Sequence, residues 1–238
     1  MLKAGSIAFT YRRRQVLRDV SFAVSQGEVL SVVGANGAGK TTLLKVLATL
    51  AVPDSGSVSL DGTDAFARPM RYRRQLGYLS ESAAIYDDMS ALEYLTYRAK
   101  LKGEPRKRIR RRVGEAVEMC RLGDVADVPV RSLSLGMRRR VALADAVMLR
   151  PRVLLLDDFL AGLDSASRRV CGEILSTAAQ FSAVVATGHE LEDLARLSSK
   201  MMVLKDGAVA GIFESSGSVL SSVRGLIEDR AAGGEACS

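Results

Sequence analysis

Long apolar runs are missing from this chain. No stretch of the 238 residues approaches the ~18 consecutive apolar residues that span a bilayer. The opening "MLKAGSIAFTYRRRQ" has no apolar core of the secretory kind. If a membrane matters, it is expected to matter through a partner. Cysteine is scarce as well: Cys120, Cys171 and Cys237 are scattered, odd in number and without metal-ligand spacing. That pattern excludes a disulfide framework and points to buried or incidental thiols in a reducing compartment. Asn36 is the only asparagine and His189 the only histidine.

What is present suits an ordinary globular protein. With 47 % apolar and 26 % charged residues, the chain can bury a sizeable core, as one large domain or one domain with an inserted subdomain. The net charge is +7, and arginines cluster in "YRRR", "EPRKRIRRR" and "MRRRVALAD". Such clusters suit nucleic acid or an anionic membrane surface, although charge runs are more often solvated helix faces.

Along the chain, "EVLSVVG" (Glu28 to Gly34) reads as a buried strand ending at a glycine. "TTLLKVLATL" then spaces Leu43, Leu44, Leu47 and Leu50 as a helix, closed by "PDSG". "SVSLDGTD" alternates like a strand and runs into the turn pair Asp61-Gly62. In "SALEYL", Ser90 and Glu93 form a capping box ahead of Leu92, Leu95 and Ala99. Basic, helix-rich sequence continues to about Pro129, and a further helix starts at Ser134 with Met137, Val141, Ala144 and Met148 on one face, stopping before Pro151. Strand-like runs resume with "VLLLDD", "AVVATG" and "MMVLKDG". The chain therefore reads as an α/β core interrupted by a helical insert. Its end, "AAGGEACS", lacks periodicity and is expected to be mobile.

One motif carries chemistry by itself. "GANGAGKTT", Gly34 to Thr42, fits the phosphate-loop pattern G-x-x-x-x-G-K-[ST] and sits between a strand and a helix. Gly34, Gly37 and Gly39 let consecutive backbone N–H groups turn inward and build an anion nest at a positive helix end, with Asn36 and Thr42 in the same loop. Lys40 is expected to reach the β- and γ-phosphates and the Thr41 hydroxyl to ligate Mg²⁺. The chain is thus expected to bind a nucleoside triphosphate. A guanine reader of the Ras type carries Asn-Lys-x-Asp, which a chain whose one asparagine is Asn36 does not have. Tyr11, upstream in "FTYRRRQVL", could stack on adenine; taken alone it reads as a strand-packing tyrosine.

These pieces in this order resemble the nucleotide-binding subunit of ABC transporters, over nearly the whole chain to about Ile212. "GANGAGKT" is similar to Walker A, and "VLLLD", ending at Asp157, to Walker B. "LGYLSE" puts Glu81 at the Q-loop position. "SLSLGM" matches the signature with Ser134 and Gly136, "AGLD" the D-loop, and "ATGHELED" puts His189 at the switch position. Tyr11 falls where the family has its adenine-stacking aromatic.

The resemblance implies an α/β P-loop NTPase core: a RecA-like parallel sheet, an N-terminal antiparallel β part and an inserted helical subdomain. It divides the chain into one ABC ATPase domain, 1–215 (core 1–80 and 150–215, helical insert 81–149), and a C-terminal tail, 216–238. It also implies ATP and Mg²⁺ as ligands, with Thr41, Asp157 and Glu81 on the metal side. Two ATP molecules would lie in a head-to-tail dimer, Walker A of one chain facing Ser134 and Gly136 of another. The second subunit is the same chain or a different one. A separate membrane permease would dock on the helical insert and Q-loop region, at the cytoplasmic face of the inner membrane. "LGYLSESAAIYDDMSALEYL" and "LSLGMRRRVALADAV" are similar to bacterial ABC-2-type exporters. A lone histidine ending an apolar strand is ordinarily satisfied by a backbone group; the resemblance instead makes His189 a γ-phosphate contact that orients the attacking water.

Four positions depart from the family pattern: Asp158 where glutamate polarises the water, Phe159 where proline follows, Glu81 for the Q-loop glutamine, and Leu135 in the middle of the signature. Glu81 and Leu135 have counterparts among exporters. Asp158 has the right chemistry and one methylene too few, and about an ångström of lost reach costs on the order of a hundredfold in rate. Phe159, less stiff than proline, is expected to let the backbone shift and recover part of that reach. Three roles for Asp158 stay open: slow hydrolysis, an impaired site in the regulatory half of a heterodimer, or a plain strand-end residue. A soluble ABC-type ATPase acting on nucleic acid or ribosomes is the rival function. It is disfavoured because such proteins usually carry tandem nucleotide domains or a long coiled-coil insertion.

Overall fold

The computed structural model describes residues 1–82, 85–215 and 219–228. The chain opens with strands β1 (Leu2–Tyr11), β2 (Arg14–Val24) and β3 (Val29–Val33), followed by helix α1 (Lys40–Leu47). Strands β4 (Ser55–Leu60) and β5 (Thr63–Asp64), short helix α2 (Pro69–Arg73) and strand β6 (Leu76–Leu79) come next. Helices α3 (Ala91–Leu101), α4 (Arg106–Met119) and α5 (Leu135–Val147) follow. The core resumes with β7 (Val153–Leu156), α6 (Ser165–Ala179), β8 (Ala183–Thr187) and α7 (Leu191–Leu197). Strands β9 (Lys200–Lys205) and β10 (Ala208–Glu214) precede α8 (Val219–Glu228).

Two sheets result. A four-stranded antiparallel sheet has the order β2-β1-β4-β5, and a six-stranded sheet the order β10-β9-β3-β8-β7-β6. In the second, every pairing is parallel except that of edge strand β10 with β9. This is the expected α/β P-loop architecture with its N-terminal antiparallel part.

Alternation along the central strands explains why that sheet is buried on both faces. Leu154 and Leu156 of β7, Val184 and Ala186 of β8, and Met201 and Val203 of β9 point to a core shared with α3, α4, α5 and α6. Their neighbours Val153, Leu155, Val185, Met202 and Leu204 point to a second core, filled by α1 and the antiparallel sheet. Runs such as "VLLL" are apolar throughout because both cores draw on them. Helix α1 is the wedge between the sheets: Leu43, Leu44 and Leu47 are fully buried. Burying each side chain contributes about 1.5–3 kcal/mol.

Several expectations need correction. Leu50 follows the end of α1 and is 61 % exposed, so the helical face stops at Leu47. The capping box at Ser90 and Glu93 is present in both directions, yet Leu92 is exposed and the buried face is Ala91, Tyr94, Leu95 and Ala99. The sequence reading leaves 216–238 as a tail. Its described part is helix α8, with Val219 and Val223 buried on the core. "AAGGEACS", and Cys237 with it, lies outside the described residues.

Candidate functional site

Every parallel strand that carries a predicted site residue delivers it at the strand's carboxyl end, where α/β sheets bind ligands. The phosphate loop follows β3, Glu81 follows β6, Asp157 and Asp158 follow β7, and His189 follows β8. Together they surround a cleft of about 480 Å³ lined by Asn36, Gly37, Gly39, Lys40, Thr41 and Thr42 on one side. Glu81, Asp157, Asp158, Thr187 and His189 form the other side. Tyr11 lines an adjoining cleft with Gln15, Val16 and Gly37, stands 59 % exposed, and carries the Arg12 guanidinium 5.6 Å from its ring centre.

The loop has the shape its sequence demands. Gly39 is the N-cap of α1 with φ 107°, and a Cβ there would come within 2.9 Å of Leu17 Cδ2. Only glycine meets both conditions at once. Lys40 folds back into the loop, its Nζ donating to the carbonyls of Gly34 (2.7 Å) and Ala35 (3.1 Å). Burial pushes its pKa down, against the pull of Asp158 and Asp157. A triphosphate offers this ammonium stronger, anionic acceptors.

Opposite the loop, Asp157 Oδ1 accepts from Thr187 Oγ1 at 2.7 Å and from Thr41 Oγ1 at 3.2 Å. Asp157 Oδ2 is buried without a hydrogen-bond partner. A hydroxyl beside an unsatisfied carboxylate oxygen is a hard-oxygen donor set of the kind Mg²⁺ takes. Glu81 is exposed at the cleft mouth.

Asp158 is held differently. Its backbone N–H donates to Thr187 Oγ1 at 3.0 Å, and its φ of 47° lies in the left-handed region that aspartate tolerates better than most residues. Its Oδ1 is buried without a partner, and a Cβ on Gly188 would stand 3.6 Å from it. Burial raises its pKa; the charges of Glu190, Glu81 and Asp157 add to this, and His189 opposes it. Phe159 is fully buried in the larger core. It therefore anchors the segment, against the expectation that it frees the backbone to shift. His189 is exposed at the mouth, with its backbone N–H donating to Glu190 Oε2 at 3.3 Å.

Ser134 and Gly136 stand apart from this cleft. Ser134 caps α5, its Oγ accepting from Met137 N–H at 3.3 Å. Gly136 packs on the first turn of α6, where a Cβ would meet Ser167 Oγ at 2.3 Å. That turn is capped by Asp164 of "AGLD", which accepts from Ser167 N–H at 2.7 Å. Sequence reasoning missed Thr187, the residue that ties both aspartates together. Its signal was available: it is the polar residue ending the apolar run "AVVAT", at the carboxyl edge of a buried strand. Among the described residues no cluster of three or more His, Cys, Asp or Glu forms a metal cage. No described helix is long and apolar enough to cross a membrane.

Comparison with known proteins adds independent findings. The family described as "ABC transporter" matches residues 17–161. The chain is 32 % identical over 210 residues to the uncharacterized ABC transporter ATP-binding protein YxlF of Bacillus subtilis, covering 88 % of this chain and 70 % of that one. It is 31 % identical to the spermidine/putrescine import ATP-binding protein PotA of Haemophilus influenzae, covering 88 % of this chain but 57 % of PotA. It is 34 % identical to Nod factor export ATP-binding protein I of Ralstonia nicotianae, covering 83 % of this chain and 62 % of that one. The chain thus spans between about half and three quarters of these relatives' lengths. Among solved structures, the dimeric bacterial ABC transporter cassette MJ0796 superposes with a TM-score of 0.81 at 25 % identity, over 91 % of this chain and 100 % of that one. A post-hydrolysis state of the same cassette, bound to ADP and Pi, gives 0.77.

Proposed function

The chain belongs to the ABC transporter family as an ATP-binding subunit, and from that premise we propose that it hydrolyses ATP to power export through a separate membrane permease. The observation that carries the reading is the convergence on one cleft of the phosphate loop, two aspartates bridged by one threonine, and the sole histidine.

Each residue then has a role. Backbone N–H groups of Gly37 to Thr42 and the Lys40 ammonium hold the phosphates, at the positive end of α1. Tyr11 offers its exposed ring to the adenine. Thr41 and Asp157, with Glu81 at the mouth, would hold Mg²⁺, which supplies neutralisation of phosphate charge. Asp158 accepts the proton of the attacking water and His189 orients that water against the γ-phosphate. The raised pKa of Asp158 suits a proton acceptor better than an ordinary surface carboxylate. The turn at Ser134 and Gly136, outside the cleft, is available to close over a second subunit's nucleotide, its helix end meeting phosphate charge.

Export is supported by the exporter-like wording around the Q-loop and signature and by Glu81 itself; relatives named for import and for export are both similar to the chain. Division into one ATPase domain, 1–215, with insert 81–149, fits this reading, as does work at the cytoplasmic face of the inner membrane through the permease. Lys40→Ala tests the nucleotide site: it should abolish or severely weaken ATP binding measured by titration calorimetry. Binding unchanged from wild type would overturn the assignment.

A further inference from the structure

We infer that Arg168 is a positioning residue for His189, acting through α7. On the role proposed for His189 above, on which this rests, Arg168 holds that histidine's segment in place. Two segments carry the acidic side of the cleft. One runs from Asp158 to Leu163 ahead of α6, and the other from Thr187 through His189 into α7. At the cleft they meet through Thr187 Oγ1, which accepts from the Asp158 N–H at 3.0 Å. At their far ends they meet again through Arg168. Its Nε donates to the Leu163 carbonyl at 2.8 Å, and its Nη1 donates to Asp193 Oδ2 of α7 at 3.3 Å. One guanidinium thus closes a frame whose opposite corner is the Asp158–Thr187 junction.

The short helix α7 needs such a hold. It has seven residues, and Glu190 at its N-cap makes no side-chain cap. So short a helix is fixed by its surroundings and not by its own hydrogen bonds. His189 is exposed just before it, and the Leu191 N–H donates to the His189 carbonyl at 2.9 Å, so the histidine moves with α7. Packing seats the helix. Leu194 is buried, and α6 presents Gly172 to Leu197, where a Cβ would stand 2.9 Å from Leu197 Cδ2. Arg168 lies one turn before Gly172 on the same face of α6. Apolar contact is non-directional, so it leaves the direction of the segment open. A planar guanidinium with two fixed arms supplies that direction.

Stability is a poor explanation for this pair. The side chains of Arg168 and Asp193 are 35 % and 30 % exposed, and ion pairs open to water contribute little to folding. Variants should therefore fold and bind ATP. What they lose is aim, and about an ångström of misplacement costs on the order of a hundredfold in rate.

The test joins a spectroscopic readout to a kinetic one. His189 is the sole histidine, so in the intact, tag-free chain its imidazole gives one unambiguous set of NMR signals. Arg168→Ala should move those signals, whereas Arg121→Ala, which breaks the Arg121–Glu173 pair elsewhere on α6, should not. Arg168→Ala should also lower kcat about tenfold or more, with ATP affinity within about twofold of wild type. Arg168→Lys should not restore kcat, because an ammonium does not span both acceptors. Asp193→Asn keeps an acceptor and should retain most of it. In a His189→Ala background, Arg168→Ala should cost less than about twofold further. Unmoved imidazole signals, unchanged kcat, or a full additional loss in the His189→Ala background overturns the inference. Wild-type turnover in His189→Ala alone overturns the proposed role of His189 instead, and the imidazole signals still report whether Arg168 positions it.

Discussion

On the proposed reading, Asp158 does a glutamate's work from a shorter side chain, and its surroundings support that reading. Thr187 Oγ1 accepts from its backbone N–H and at the same time donates to Asp157 Oδ1, so one hydroxyl ties the Asp157 carboxylate to the Asp158 backbone. Phe159 locks the following residue into the core, which leaves the deficit in reach to the side chain alone. Asp158→Glu should therefore raise ATP turnover severalfold; no gain in a folded variant would mean a site tuned around aspartate. Thr187→Val removes the bridge while keeping the shape. It should lower kcat by about tenfold or more with a smaller change in ATP affinity, and Thr187→Ser should restore it. Steady-state kinetics beside nucleotide titration separates this from a loss of fold.

The elements that present these residues were legible where local chemistry decides structure. The Ser90–Glu93 box and the Ser134 cap each satisfy backbone groups within a few residues, and Asp61-Gly62, both at positive φ, turns β4 back on β5; each stands where the sequence put it. Partners distant in sequence were not legible. Leu92 and Leu50 have the spacing of buried residues but face outward, because no described element covers them. Thr187 gains its meaning only when β7 and β8 pair side by side. The insert is tied down in the same non-local way: Asp145 of α5 pairs with Arg98 at 3.0 Å and Lys102 at 2.8 Å, both from the α3 side. Asp145→Ala leaves a largely buried lysine without its counter-charge. It should cost about 3 kcal/mol in urea unfolding, and a cost near zero would mean that apolar packing alone holds the insert.

At the scale of the whole molecule, the proposed reading divides the nucleotide site between the cleft and the Ser134 turn. The cleft of Lys40, Asp157 and Asp158 lies on one surface, and Ser134 caps a helix elsewhere. On the proposed reading a head-to-tail pair completes the site, so ATP should drive dimerisation, and Asp158→Asn should prolong the dimer by slowing hydrolysis. Light scattering with ATP should read twice the monomer mass in that variant; a monomer with ATP bound would count against the arrangement. The central claim is that Asp158 is the water-polarising acid of a working ATPase. Turnover of wild type and Asp158→Asn, with ATP binding measured in the same preparations, tests it most directly. The account predicts equal binding and a fall in turnover of about a hundredfold or more; equal turnover in the two proteins would contradict it.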